Sequence, residues 1–387
     1  MSLENGRWTA VTSALRFDCR DVASCARLGL SARKMWTGFK SLLLSWLVWD
    51  FFVYLGFLAS GEDMGARWSL SVLLPLPGGL FWHSAIAMVL LGAGCILILA
   101  VLMRGSLKVC RLAFEQIRGD AFYSESEAAS FARGHSSPLV LVPLLLVILI
   151  TILLAKGAVV GLISRIPAAG PVIAALFAVP LWGAMLLAVL TAAALILSIM
   201  LLPAIIACTR GDTFESVFEL FSTMTSQSWR VFLYWFLSLL FTALGSAVFI
   251  LFSAGAMGLL SMTTSWAAGG GGFAEALTAG PRMLAPELLP FFSSFVSLGT
   301  GGSTAAWSGA AGVLAGVSGS VILLVLLSYI FSSLSSAWTV IYVGLRRRRD
   351  GTDLLVEADR EDMRDYERRY GGGIPLPGKP GPLQEGQ

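Results

Sequence analysis

Long apolar runs separated by short polar connections dominate the chain, and their length sets the first expectation. A helix needs about 20 predominantly apolar residues to cross the hydrocarbon of a bilayer. Six runs are long enough: Ser41–Ala59, Trp82–Met103, Pro138–Ile163, Val172–Ala207, Val231–Leu260 and Val313–Leu345. The fourth exceeds one crossing and carries Pro180 and Pro203, so it is expected to tilt or to break at a proline. Pro143 lies inside the third, where a kink is tolerable in a membrane helix. The pattern predicts an all-α integral membrane bundle of about six transmembrane helices.

Between spans the period changes from continuous to amphipathic. In "SLKVCRLAFEQIR" Leu107, Cys110, Phe114 and Ile117 line one face, and Lys108, Arg111, Glu115 and Arg118 the other. In "DTFESVFELFSTM" Phe214, Val217, Phe218, Phe221 and Met224 form an apolar stripe. Such helices are expected to lie on the inner leaflet or to pack against other protein surface. Ser124 with Glu127, and Asp212 with Glu215, have the spacing of capping boxes that start short helices.

Lys and Arg orient the bundle. Ahead of the first span lie Arg7, Arg16, Arg20, Arg27, Arg33, Lys34 and Lys40. The second connection carries Arg104, Lys108, Arg111, Arg118 and Arg133; the fourth carries Arg210 and Arg230. Arg346, Arg347, Arg348 and Arg349 follow the sixth span, whereas the alternate connections hold only Arg67, Arg165 and Arg282. Both termini are therefore expected in the cytoplasm, the membrane being a bacterial inner membrane. Three regions result: a cytoplasmic segment 1–40, partly amphipathic helix; a six-span domain 41–349; and a charged tail 350–387 with a Gly/Pro-rich, disordered end. Residues 261–312 form a Gly/Ser-rich outer loop in which "PELLPFFSSFVSLG" is too short to span.

Composition agrees and removes other classes. The chain is 56% hydrophobic and only 13% charged, with mean hydropathy +0.78, against about 25% charged residues in soluble domains. No cleaved signal peptide is expected, since "MSLENGRWTAVTSALRFDCRD" has no short apolar run with a small-residue cleavage site. Five cysteines without a C-x-x-C spacing exclude a thiolate zinc site and a disulfide framework as expectations. With only His83 and His135 present, no H-E-x-x-H is available, and no glycine-rich loop ends in Gly-Lys-Ser/Thr. "GVSG" at Gly316–Gly319 resembles the serine motif of rhomboid proteases, but no later histidine completes it. Small-residue helix packing accounts for it. No cofactor and no nucleic-acid partner is expected; the four terminal arginines are juxtamembrane and are candidates for anionic-lipid contact.

One pentapeptide recurs: "RGDAF" (Arg118, Gly119, Asp120, Phe122) and "RGDTF" (Arg210, Gly211, Asp212, Phe214). Each copy follows an apolar run on the same expected side and precedes a short helix and a further span. The pair reads as a tandem repeat, 82–163 and 172–260. Local chemistry explains the tripeptide as punctuation, with Gly as helix stop and Asp as the next N-cap. The segments "RGDTFESVFELFSTMTSQSWRVFLYW" and "IYVGLRRRRDGTDL" resemble bacterial polytopic membrane families related to the membrane domain attached to some glycerophosphodiester phosphodiesterases. Gly211, Asp212, Phe214, Trp229, Arg230, Asp350, Gly351, Thr352 and Asp353 carry the resemblance. It implies an architecture; the catalytic domain of those enzymes has no counterpart in this chain.

Two ionisable residues fall inside spans, Asp50 in "LVWDFFVY" and Lys156 in "ILLAKGAVV", and intramembrane charge is a default functional candidate. The expected function is a non-enzymatic inner-membrane protein acting through the lipid bilayer and other membrane subunits. The alternative is a small transporter or channel-like protein with Asp50 in a proton- or cation-coupled site.

Overall fold

The computed structural model describes residues 2–4, 7–9, 19–65, 74–120, 122–167, 169–268, 310–351, 354–355 and 358. Apart from a small hairpin that pairs β1 (Ser2–Glu4) with β2 (Arg7–Thr9), the described elements are helical. In chain order they are α1 (Cys19–Gly29), α2 (Ala32–Ser60), a 3₁₀ turn at Gly79–His83, α3 (Ala85–Arg118), α4 (Glu125–Gly134), α5 (Ser137–Ile163), α6 (Ala169–Leu176), α7 (Ala178–Thr209), α8 (Thr213–Ala268) and α9 (Ala310–Asp350). Six of them are long and apolar enough to cross a membrane: α2, α3, α5, α7, α8 over Thr213–Thr264, and α9 over Val317–Asp350. The protein is a multi-pass helical membrane protein. The segment from 269 to 309, which includes "PELLPFFSSFVSLG", the tail beyond 358, and Thr352 and Asp353 lie outside the described residues.

The expected long fourth span is two helices. The break falls at Phe177 (φ −88°, ψ 1°), three residues ahead of Pro180. That proline sits in the first turn of α7, where its missing N–H has no helical acceptor to lose. Pro203 remains inside α7 without ending it.

Two compact units divide the chain. One comprises Met1–Val22, Cys110–Trp235 and Trp338–Gln387; the other comprises Ala23–Val109 and Phe236–Ala337.

In the first unit α5 packs along α7, with Met185 filling the space opposite Gly157. Helix length positions the rest. At 1.5 Å per residue, 34 residues of α3, 32 of α7 and 41 of α9 measure roughly 50–60 Å, while hydrocarbon is about 30 Å thick. The surplus is where burial becomes nearly continuous: Cys110–Glu115, Leu201–Cys208 and Trp338–Val343 are buried on every face. Side chains lace these ends through carbonyls: Arg111 donates to Ala207 O (2.8 Å), Thr339 to Cys110 O (3.5 Å) and Gln227 to Leu345 O (3.2 Å). The segment "SLKVCRLAFEQIR" thus continues the second span and is enclosed, rather than lying as a separate amphipathic helix on a leaflet.

In the second unit a row of hydroxyls on α9 caps the end of α1. Tyr329 donates to Ala26 O (3.2 Å), Ser332 to Gly29 O (2.9 Å) and Ser333 to Cys25 O (3.4 Å). Ala26 O and Gly29 O are among the carbonyls a helix C-terminus leaves unpaired. Lys34 is fully buried and reaches Leu28 O at 2.7 Å. Gly29 is required by contact, since a Cβ there would sit 2.6 Å from Ser333 Cα. Farther along α2, Val53 and Phe57 pack with Phe81 and Ala87. Glu62 accepts from Phe81 N–H at 3.1 Å and fixes the 3₁₀ turn.

Candidate functional site

Arg111 organises the ends of α3 and α7. It is 3% exposed, ion-paired to Glu115 one turn on, and bonded to Ala207 O. Its guanidinium lies 4.6 Å from the Phe131 ring centroid and 5.5 Å from that of Phe114, a desolvated cation–π arrangement. Glu115, also buried, accepts from Arg118 Nη1 through both oxygens at 2.9 and 3.2 Å. One carboxylate is therefore shared by two guanidiniums. Phe131 in turn stacks on His135 at 4.4 Å.

The repeated pentapeptide converges here. Arg118 and Asp120 of the first copy and Arg210 of the second line one open cleft of about 420 Å³, together with Arg111, Glu115 and Tyr123. Burial pushes the Tyr123 phenol above its ordinary pKa, against the opposing pull of Arg111, so it stays a hydroxyl donor at neutral pH.

The two turns differ in conformation. In the first, Gly119 takes the left-handed stop (φ 97°). Asp120 then forms an Asx turn, its Oδ1 accepting from Phe122 N (2.9 Å) and Tyr123 N (3.1 Å). Ser124, not Asp120, is the N-cap of α4 and completes the expected capping box with Glu127, whose carboxyl those bonds hold below the usual range. In the second, the left-handed residue is Arg210 itself (φ 55°), one position earlier than the glycine. Asp212 occupies the N-cap position, its carbonyl taking the first helical bond from Ser216 N (2.9 Å). A non-glycine residue held left-handed costs about 1 kcal/mol, and Arg210 is the one such residue among those described.

A second cluster gathers around Glu219 in the first turns of α8, which bends at Gln227 (φ −140°, ψ 34°) before continuing as the fifth span. Glu219 is 7% exposed. Arg349 Nη2 donates to both its oxygens at 3.0 and 2.9 Å, and Tyr342 O–H to Oε2 at 3.3 Å. Arg346 stands 4.0 Å away. Arg349 also bonds Ser222 Oγ (3.0 Å) and Asp350. Two of the four arginines proposed for lipid contact thus have protein partners, and Arg347 and Arg348 are engaged as well.

This clamp turns α8 inside out. Ser216, Glu219, Leu220, Thr223 and Gln227 are buried, while Phe214 is 81% and Phe218 72% exposed. Of the apolar stripe read from the sequence, Phe214 and Phe218 point away from the protein, in line with exposed Trp229 and Phe232 beyond the bend, while Val217, Phe221 and Met224 are half-buried. Arg230 lies beside the Trp229 ring at 5.8 Å.

Asp50 and Lys156 belong to different units. Asp50 is hydrogen-bonded by Trp46, and its Oδ1 is enclosed without a partner. Lys156 is exposed on α5. Among the described residues no three His, Cys, Asp or Glu side chains gather where they would hold a metal ion.

Glu219, Tyr342, Tyr123 and Phe131 are absent from the sequence-based site. Glu219 had one signal: a carboxylate set between apolar residues in Val217–Phe221. No protein-family model, curated protein or solved structure matches the chain.

Proposed function

We propose that this is a non-enzymatic inner-membrane protein that works through lipid and protein contacts at its cytoplasmic face, as a scaffold or an accessory subunit of a membrane complex. The observation that carries the reading is the orientation of the first turns of α8. A polar stripe is buried against Arg346 and Arg349 while Phe214 and Phe218 are presented outward. In water that arrangement exposes two large aromatic rings; at a bilayer interface the same rings are buried. The lengths of α3, α7 and α9 support it, because they extend beyond hydrocarbon on the end where Lys and Arg accumulate. The resemblance in "RGDTF…SWR" points to the same architecture of turn, amphipathic helix and membrane-entering Trp-Arg pair. The histidines, His83 and His135, fall in separate units, and the central carboxylates of the two clusters, Glu115 and Glu219, are held by arginines.

The sidedness is tested with single cysteines at exposed positions in intact cells. Ser126→Cys on α4 is expected to react with a membrane-impermeant maleimide only after permeabilisation, and Asp63→Cys, after α2, without it. Labelling of both from the same side would exclude the proposed threading.

A further inference from the structure

We propose that the lipid-facing flank of α5 centred on Lys156 is the contact surface for a membrane helix of another protein, one that carries an aspartate or glutamate at the same depth. The proposal rests on the reading of this protein as an accessory subunit of a membrane complex and names the chemistry of the subunit it joins.

Lys156 is exposed, with "LLLVILITILLA" before it and "GAVVGLI" after it, so hydrocarbon surrounds its position on the helix. The described residues give it neither an ion pair nor a hydrogen bond. Charged side chains within spans ordinarily face a bundle interior, a water-filled cavity or a counter-charge; this one faces outward. Its nearer helix end does not relieve it. α5 closes at Ile163, about 10 Å farther along the axis. Side chains on a helix lean toward its N-terminus, so snorkelling toward that end runs against the direction of the Lys156 stem. The lean is the same whichever way the chain is threaded.

The face around it has the spacing of a helix seam. Leu139, Val142, Leu146 and Leu153 belong to the buried side of α5. Beside them runs a second stripe, Leu145, Leu149, Ile152, Lys156, Val159 and Ile163, in alternating steps of four and three, the spacing by which two helices mesh. Ile152 and Val159, which flank Lys156 in that stripe, are more than half exposed.

Charge selects the occupant. A carboxylate is the complement of the ammonium, and the segment that brings it must be helical, because a helix satisfies its own backbone where there is no water. Low dielectric strengthens the pair once it forms, and polar contacts of this kind join helices in lipid. A second copy of this chain does not fit. Two-fold pairing of the stripe within one membrane sets Lys156 against its own copy. Asp50, the other intramembrane charge, is bonded by Trp46 and has its free oxygen enclosed, so it is not presented to a neighbour.

The test reconstitutes the purified full-length protein into phosphatidylcholine vesicles with a leucine–alanine transmembrane peptide. The peptide carries one glutamate at the depth of Lys156, or glutamine at the same place, and energy transfer from labelled protein to labelled peptide reads association. Wild type is expected to bind the glutamate peptide at least fivefold more tightly than the glutamine peptide. Lys156→Met removes the charge at an exposed position, so the preference is expected to vanish with the melting temperature unchanged. Ile152→Trp keeps the charge and obstructs the adjoining position of the stripe; at least a threefold loss of affinity for the glutamate peptide is expected, and this variant decides if Lys156→Met does not fold. Equal binding of the two peptides by wild type, or binding unchanged in the deciding variant, overturns the proposal. That failure is distinguishable from failure of the underlying reading, whose sign is exposure of Phe218 to water rather than lipid.

Discussion

Replacing Glu219 by alanine is expected to lower stability by about 3–5 kcal/mol, the loss typical of removing one partner from a buried ion pair. The reason is what stays behind. Arg349 and Arg346 are largely enclosed, with side chains 16% and 15% exposed, and the Tyr342 hydroxyl is buried with them. Without the carboxylate these groups retain their desolvation and lose their compensation. The same substitution unfastens the first turns of α8, so the bend at Gln227 loses the contact that aims Phe214 and Phe218 outward. Thermal unfolding in detergent reads the loss. A double-mutant cycle with Arg349→Ala should return a coupling of about 0.5–3 kcal/mol. A change below about 0.5 kcal/mol would reduce the cluster to an ordinary surface pair.

Glu115→Ala is expected to cost about as much, again roughly 3–5 kcal/mol, for a related reason. Glu115 is the shared counter-charge of Arg111 and Arg118. Arg111 cannot swing into water, because it is tied to Ala207 O at 2.8 Å and covered by Phe131 and Phe114. Removing the carboxylate leaves two guanidiniums facing each other at the joined ends of α3 and α7. Glu115→Gln keeps the shape and an acceptor oxygen, so it should fall between wild type and alanine. Melting curves of the three proteins check the order; equal midpoints for all three would contradict the role given to Glu115.

Run length made the spans legible in the sequence, because lipid imposes it: each of the six runs holds a helix long enough to cross, the fourth with a further short helix, α6, ahead of it. Their ends were less legible. "SLKVCRLAFEQIR" has a helical period, yet period alone does not say whether a polar residue points to water or to a buried partner. Arg111 and Glu115 solved their burial by pairing with each other. Within the stripe from Phe214 to Met224, the outward orientation of Phe214 and Phe218 depends on Glu219 meeting Arg346 and Arg349 from more than 120 residues away, which no local pattern encodes. The same holds for the α9 hydroxyls that cap α1 across a separation of 303 residues. The identical pentapeptides concealed different turns, since the left-handed residue is Gly119 in one and Arg210 in the other. After the first turn a short helix, α4, precedes the long α5, whereas after the second the chain runs on as one helix, α8, bent at Gln227.

The central claim is that the Phe214–Phe218 face of α8 is buried in the lipid interface. It is tested most directly by a nitroxide at position 218, introduced as Phe218→Cys in a cysteine-free background reconstituted into vesicles. Collision with oxygen, which concentrates in lipid, is compared with collision with a water-soluble nickel chelate. High oxygen and low nickel accessibility at 218, with low values for both probes at the buried Leu220 position, is the predicted result. Nickel accessibility at 218 equal to that of the exposed Ser126 position on α4 would contradict it.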